Sequence, residues 1–155
     1  DLWSRYEPEQ RGVVIAYASV YGGTENAANI LACRLREQGV QVEMFDTSVT
    51  PASYILAAAF RFSHVVLAPT YNAGIFVTME NLLHDLTAHG LKGRRAAYIE
   101  NGSWAPTSAR GMQKLLEPLN WETAADTVTL RSALRQGQQE DLERMAAQLA
   151  ESVKA

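Results

Sequence analysis

The sequence predicts an α/β domain with a parallel sheet covered by helices on both faces. Three observations point there. Short apolar runs alternate five times with stretches whose apolar residues recur every three to four positions. The run His64–Pro69 is apolar without alternation, as expected for a strand buried on both faces. The loops after the first, third and fourth runs are rich in glycine, hydroxyl and amide residues. At 155 residues and 47% hydrophobic, the chain suits one domain with a sizeable core.

The elements follow in order. Asp1–Gly12 is polar, holds Pro8, and reads as a connecting segment, although Leu2, Trp3 and Tyr6 suit packing against something; the domain is expected over 13–155. Val13–Ala18 is the first strand. Thr24–Gln38 is the first helix, with Ala27, Ile30, Leu31 and Leu35 on one face and Gly39 at its stop. Val40, Val42 and Met44 alternate with polar residues up to Asp46, which suits an edge strand. Thr50-Pro51 reads as N-cap and first helical position of a second helix marked by Ile55, Ala58, Ala59 and Phe62. His64–Pro69 is a central third strand. Met79, Leu82, Leu83 and Leu86 mark the third helix, closed by His89-Gly90. Ala96–Ile99, running to Glu100, is the fourth strand. Met112, Leu115, Leu116 and Leu119 mark a fourth helix ending near Pro118. Thr123–Leu130 is the fifth strand. Leu142, Met145, Ala146, Leu149 and Val153 mark the last helix.

The bulk numbers narrow the function classes. Net charge is −3 and there is no basic stripe, which argues against nucleic acid as the partner. The basic pair Arg94-Arg95 reads as a solvated strand start. The single cysteine, Cys33, excludes an internal disulfide and a cysteine metal site and is expected at the core or its boundary. One thiol is compatible with a reducing cytoplasm, where the protein is expected. No run approaches eighteen apolar residues, so no membrane span is expected. No secretion signal is visible, and the missing initiator methionine suggests a piece of a longer chain. His64, His84 and His89 are expected at the surface or boundary. Glu80 and His84 share a helical face, but one such pair is far short of a diiron site, so no metal site and no complete catalytic site are expected.

Three loops carry the chemistry. The first, Ser19-Val20-Tyr21-Gly22-Gly23-Thr24, follows a buried strand and opens a helix. Backbone N–H groups and the positive end of the helix dipole converge there, which suits an anion. It has neither the lysine of a nucleoside-triphosphate loop nor a dinucleotide Gly-x-Gly-x-x-Gly. Its hydroxyls and N–H groups suit a terminal monophosphate. The second loop, Pro69-Thr70-Tyr71-Asn72-Ala73-Gly74, and the third, Asn101-Gly102-Ser103-Trp104, carry rings able to flank a flat heterocycle and amides able to bond its rim. Taken singly, Tyr71 and Trp104 equally suit caps on the core, and the glycines and asparagines equally suit plain turns. Their joint placement at strand carboxyl ends, with no such enrichment at the opposite edge, favours one shared ligand.

The pattern Ser-x-Tyr-Gly-x-Thr resembles the phosphate loop of flavodoxin-like domains. Ala68–Phe76 and Ile99–Pro106 resemble the flavin loops of flavodiiron proteins (A-type flavoproteins), and the likeness spans roughly residues 13–153. The resemblance implies a flavodoxin-like sheet of order 2-1-3-4-5 and FMN as cofactor. It implies that Ser19, Val20, Tyr21, Gly22, Gly23 and Thr24 hold the phosphate. Pro69, Thr70, Tyr71, Asn72, Ala73 and Gly74 would line the isoalloxazine, and Asn101, Gly102, Ser103 and Trp104 would close its other side. It implies electron transfer from a donor such as rubredoxin to a diiron site on a metallo-β-lactamase-like domain, in the same or a partner chain. Ala18 and Val77 depart from the Asp and Pro common in relatives. A peptide group in Asn72–Gly74 is expected to bond the flavin N5.

Three readings compete. The first is a domain of a flavodiiron-type oxygen or nitric oxide reductase. The second is a stand-alone flavodoxin or a flavin-dependent NAD(P)H:quinone reductase. The third is a flavin-free interaction module. A receiver domain is disfavoured, because its acidic positions hold Ala18-Ser19 and Pro69-Thr70.

Overall fold

A computed structural model describes residues 10–17, 23–47, 49–68, 73–90, 93–101, 109–130 and 136–154. The elements are β1 (Gln10–Tyr17), α1 (Gly23–Glu37), β2 (Gln41–Asp46), α2 (Ala52–Arg61), β3 (Phe62–Ala68) and α3 (Ala73–Ala88). Then come β4 (Arg95–Asn101), α4 (Ala109–Leu115), a 3₁₀ turn (Glu117–Leu119), β5 (Glu122–Thr123), β6 (Val128–Leu130) and α5 (Gln136–Lys154).

The sheet has the order β2-β1-β3-β4-β5, with every pairing parallel. β6 also pairs with β4. The expected order and the edge position of β2 are thus met. The fifth strand is not one continuous run: Arg95 is level with Glu122 and Ile99 with Val128. Two more residues separate β5 from β6 than separate their partners on β4, so the chain bulges between Thr123 and Val128.

Alternation along the buried strands builds two cores. Val13, Ile15, Val66, Ala68, Ala97 and Ile99 face α1 and α5, meeting Leu31, Leu35, Leu142, Met145 and Leu149. Val14, Ala16, Val65, Leu67, Ala96 and Tyr98 face α2, α3 and α4, meeting Ile55, Leu82, Leu83, Leu86 and Met112. A leucine taken fully out of water contributes about 2 kcal/mol, so either layer is a substantial source of stability. α1 stops at Gly39, whose φ of 81° is a left-handed conformation that side chains resist.

Several local expectations are corrected. Phe62 does not belong to α2; it is extended (φ −101°, ψ 155°) and opens β3 opposite Gln10. β1 begins at Gln10, so the last residues of the expected connecting segment are strand. Pro51, not Thr50, is the N-cap of α2, and it makes no side-chain cap. Its ψ of 141° keeps it outside the helix although its φ of −57° suits one. Cys33 is exposed rather than buried. Leu2, Trp3 and Tyr6 lie outside the described residues.

Arg94 is the larger surprise. It is 2% exposed, and its guanidinium donates to the carbonyl oxygens of Ala59 and Phe60, both at 2.8 Å. These are carbonyls of the last turn of α2, which has no later helical N–H to satisfy them. The cation therefore sits at the negative end of that helix dipole. Burial pulls its pKa down to about 10, which leaves it charged at neutral pH.

Candidate functional site

β1, β3 and β4 are adjacent and parallel, so their carboxyl ends share one edge of the sheet. Tyr17 is level with Ala68, and Leu67 with Tyr98. The chain leaves this edge at Tyr17, Ala68 and Asn101 and returns at the helix starts Gly23, Ala73 and Ala109. Two strand spacings, about 10 Å, separate the outer exits. β1 is also where the strand order turns back, since the chain places β2 on one side of it and β3 on the other. Ligands of such sheets sit outside this reversal.

Of the predicted site residues, five have a described backbone. Gly23 and Thr24 form the first turn of α1, Ala73 and Gly74 the first turn of α3, and Asn101 ends β4 level with Leu130. First-turn N–H groups of a helix have no partner within it, so the two helix starts present donors at the same edge. Ser19, Val20, Tyr21, Gly22, Pro69, Thr70, Tyr71, Asn72, Gly102, Ser103 and Trp104 lie outside the described residues.

Sequence reasoning missed Thr47. It is buried, and its N–H donates to the Tyr17 carbonyl at 2.8 Å, tying the turn after β2 to the end of β1. The Asp46 carbonyl accepts from the N–H groups of Val49 and Thr50, which closes that turn. Nothing in the sequence marks Thr47 apart from other turn threonines.

The opposite edge of the sheet is not the bland surface expected. His64 is 4% exposed, not a surface or boundary residue; His84 and His89 are exposed as expected. His64 Nε2 lies 2.8 Å from Ser152 Oγ and Nδ1 lies 2.7 Å from Ser63 Oγ. Ser152 Oγ accepts from the Arg95 guanidinium at 2.9 Å, and Arg95 pairs with Glu122 at 3.4 Å. Ser63 Oγ lies 3.3 Å from both the N–H and the carbonyl of Gly12. Arginine only donates, so Ser152 Oγ accepts from Arg95, while the Ser152 and Ser63 hydroxyls bracket the ring, one bonded to each nitrogen. Burial, then the nearby Arg95 charge, pulls the His64 pKa down to about 4, so the ring is neutral at pH 7. This chain joins β1, β3 and β4 to α5, the helix that carries Ser152. The signal was absent locally, because Ser152 is 88 positions from His64.

No family model matches the chain. It is 24% identical over 144 residues to rubredoxin-oxygen oxidoreductase of Megalodesulfovibrio gigas, covering 92% of this chain and 36% of that protein. It is 28% identical over 118 residues to the chain named diflavin flavoprotein A 2 in Thermosynechococcus vestitus, covering 74% and 20%. A solved structure of rubredoxin oxygen:oxidoreductase from Desulfovibrio gigas superposes with a TM-score of 0.87 at 20% identity, over 98% of this chain and 38% of that one. A Streptococcus pneumoniae flavodoxin superposes with a TM-score of 0.75 at 24% identity, over 90% and 98%. The chain therefore spans about a third or less of the curated relatives it matches, and nearly the full length of a flavodoxin. The fold is flavodoxin-like, and the sequence relatives of this chain are rubredoxin-oxygen oxidoreductase and diflavin flavoprotein chains.

Proposed function

We propose that the chain binds FMN and acts as an electron-transfer domain of flavodiiron type. The observation that carries this reading is the departure of three polar connections from adjacent strands at one sheet edge, beside the starts of α1 and α3. The donor set fits the cofactor. The first connection offers the hydroxyls of Ser19, Tyr21 and Thr24 and first-turn N–H groups, and it holds no lysine or arginine. Neutral donors at a helix start suit a phosphate monoester. Gly22 and Gly23 let the backbone approach it closely. In this reading Tyr71 and Trp104 would flank the ring system, and Asn72 and Asn101 would bond its polar rim. FMN supplies the redox chemistry when bound; the chain binds it, orients it and keeps water from its faces.

The electron donor in this reading is a rubredoxin-like protein and the acceptor a diiron site on a metallo-β-lactamase-like domain of the same or a partner chain. It is supported by the relatives named above, which extend well beyond the aligned segment. The parent would reduce dioxygen or nitric oxide in the cytoplasm. Among the described residues no helix is long and apolar enough to cross a membrane. A stand-alone flavodoxin is the second reading, favoured by the match to nearly all of a flavodoxin chain.

The test is a titration of the 155-residue chain with FMN and with riboflavin, read by flavin fluorescence. Saturable quenching at micromolar FMN, at least tenfold weaker with riboflavin, supports the phosphate loop and the ring site together. Absence of binding at micromolar FMN overturns the electron-transfer reading and leaves the flavin-free interaction module. Rapid reduction of the bound flavin by reduced rubredoxin, rather than by a flavodoxin reductase, separates the first reading from the second.

A further inference from the structure

A cavity lies on the flank of the sheet, beside β5. It has a volume of about 270 Å³ and is lined by Tyr98, Gln113, Leu116, Glu117, Asn120, Trp121 and Thr123. Its position follows from the fold. β4 supplies Tyr98, α4 supplies Gln113, and the 3₁₀ turn and β5 close it. The bulge between β5 and β6 leaves this part of β4 without a continuous neighbouring strand. Asn120 adopts a left-handed conformation (φ 54°) at the end of the 3₁₀ turn, where the chain reverses into β5.

Tyr98 is 3% exposed, and the one polar atom of its side chain, the hydroxyl oxygen, makes no hydrogen bond among the described residues. Burial pushes its pKa up to about 12, so it is a protonated donor at every physiological pH. A buried hydroxyl without a partner is costly, and a cavity beside it is where a partner can enter. The rest of the lining restricts that partner. Trp121 and Leu116 offer flat and apolar surface, Gln113 and Asn120 offer amides, and Thr123 offers a hydroxyl. Among the described lining residues Glu117 is the single charged group, and it is an anion. The volume lies at the lower limit of small-molecule sites, which suits one or two rings.

We propose that this cavity binds a small planar heteroaromatic molecule, neutral or singly cationic, which accepts a hydrogen bond from Tyr98 and stacks on Trp121. The site is independent of the flavin reading, because none of its described lining residues belongs to the three connections. Anions are disfavoured by Glu117 and by the lack of a cation among the described lining residues.

The probes are adenine (neutral), benzamidine (cationic) and benzoate (anionic), titrated into the 15N-labelled chain with and without excess FMN. The readout is the Trp121 indole N–H signal, assigned with Trp121→Phe. Saturable shifts with adenine or benzamidine at a Kd of about 1 mM or tighter are expected, with benzoate at least tenfold weaker. Tyr98→Phe keeps the ring and should weaken the bound probe at least fivefold without lowering the melting temperature. Glu117→Gln should weaken benzamidine about threefold and leave adenine unchanged. The proposal is overturned if neither adenine nor benzamidine saturates below about 10 mM, if benzoate binds equally well, or if Tyr98→Phe binds like the parent. An ordered water as sole occupant gives the first of these results.

Discussion

The buried His64 makes acid stability a direct test of the hydroxyl chain at the amino edge of the sheet. The ring is neutral when folded, with a pKa near 4, and titrates at an ordinary 6.5 once exposed in the unfolded chain. Between these values the unfolded state binds the extra proton. Stability therefore falls as pH drops from 6.5 to about 4, and the contribution is fully present above 6.5. The slope reaches at most about 1.4 kcal/mol per pH unit, and over the whole window the loss is about 3 kcal/mol. Carboxylates titrate in the same range, so the measurement is a difference. Urea unfolding at pH 7.5, 6.5, 5.5 and 4.5 is compared between the parent and His64→Gln, which keeps a donor and an acceptor but does not titrate. The parent should lose about 2 kcal/mol more than the variant between pH 6.5 and 4.5. Arg95→Gln should narrow the gap, because the Arg95 charge is the second cause of the shift. Parallel pH profiles for the parent and His64→Gln would refute the reasoning.

Other outcomes follow from single contacts. Arg94→Met leaves the Ala59 and Phe60 carbonyls without their donor and should cost about 2–4 kcal/mol in chemical unfolding; Arg94→Lys recovers only part, lacking the fork. Gly12→Ala places a Cβ 2.7 Å from Phe62 Cδ1 and 2.8 Å from the Gln41 carbonyl oxygen, so a loss of about 1–3 kcal/mol is expected, read as a lower melting temperature. Thr24→Val removes a hydroxyl from the proposed phosphate loop and should weaken FMN about tenfold with little effect on riboflavin. Gly74→Val, in the first turn of α3, should shift the flavin reduction potential; an unchanged potential argues against a peptide bond to N5 from that segment.

The legible parts of the sequence were those governed by short-range pattern. β3 shows itself as an unbroken apolar run because helices cover both of its faces, and α1 shows Ala27, Leu31 and Leu35 because one stripe meets the sheet. The errors fall where a distant segment decides the outcome. Arg94 and His64 carry titratable groups at strand starts, which locally reads as solvent exposure. Their burial is made possible by α2, some 35 positions before Arg94, and by Ser152, 88 positions after His64. The break of the fifth strand was hidden for a related reason, since Thr123–Leu130 has strand-forming residues at both ends and only the register against β4 shows the two extra residues. At the candidate site, the chemistry was read from residue types in the loops. The structure adds that the strands bearing them are neighbours and that α1 and α3 begin beside them.

The placement of α5 has a consequence for biosynthesis. Leu142, Met145, Ala146 and Leu149 cover the same sheet face as α1, and Arg34 reaches across to Glu143 at 3.1 Å. That face includes Val13 and Ile15, which are made well before α5. At about 5–20 residues per second, the nascent protein carries a half-covered sheet for several seconds before α5 is made. The opposite face has all three of its helices once Leu115 is made, before α5 begins at Gln136. During translation the first face is the surface a chaperone has reason to hold, and a product that ends before Gln136 keeps that surface permanently open.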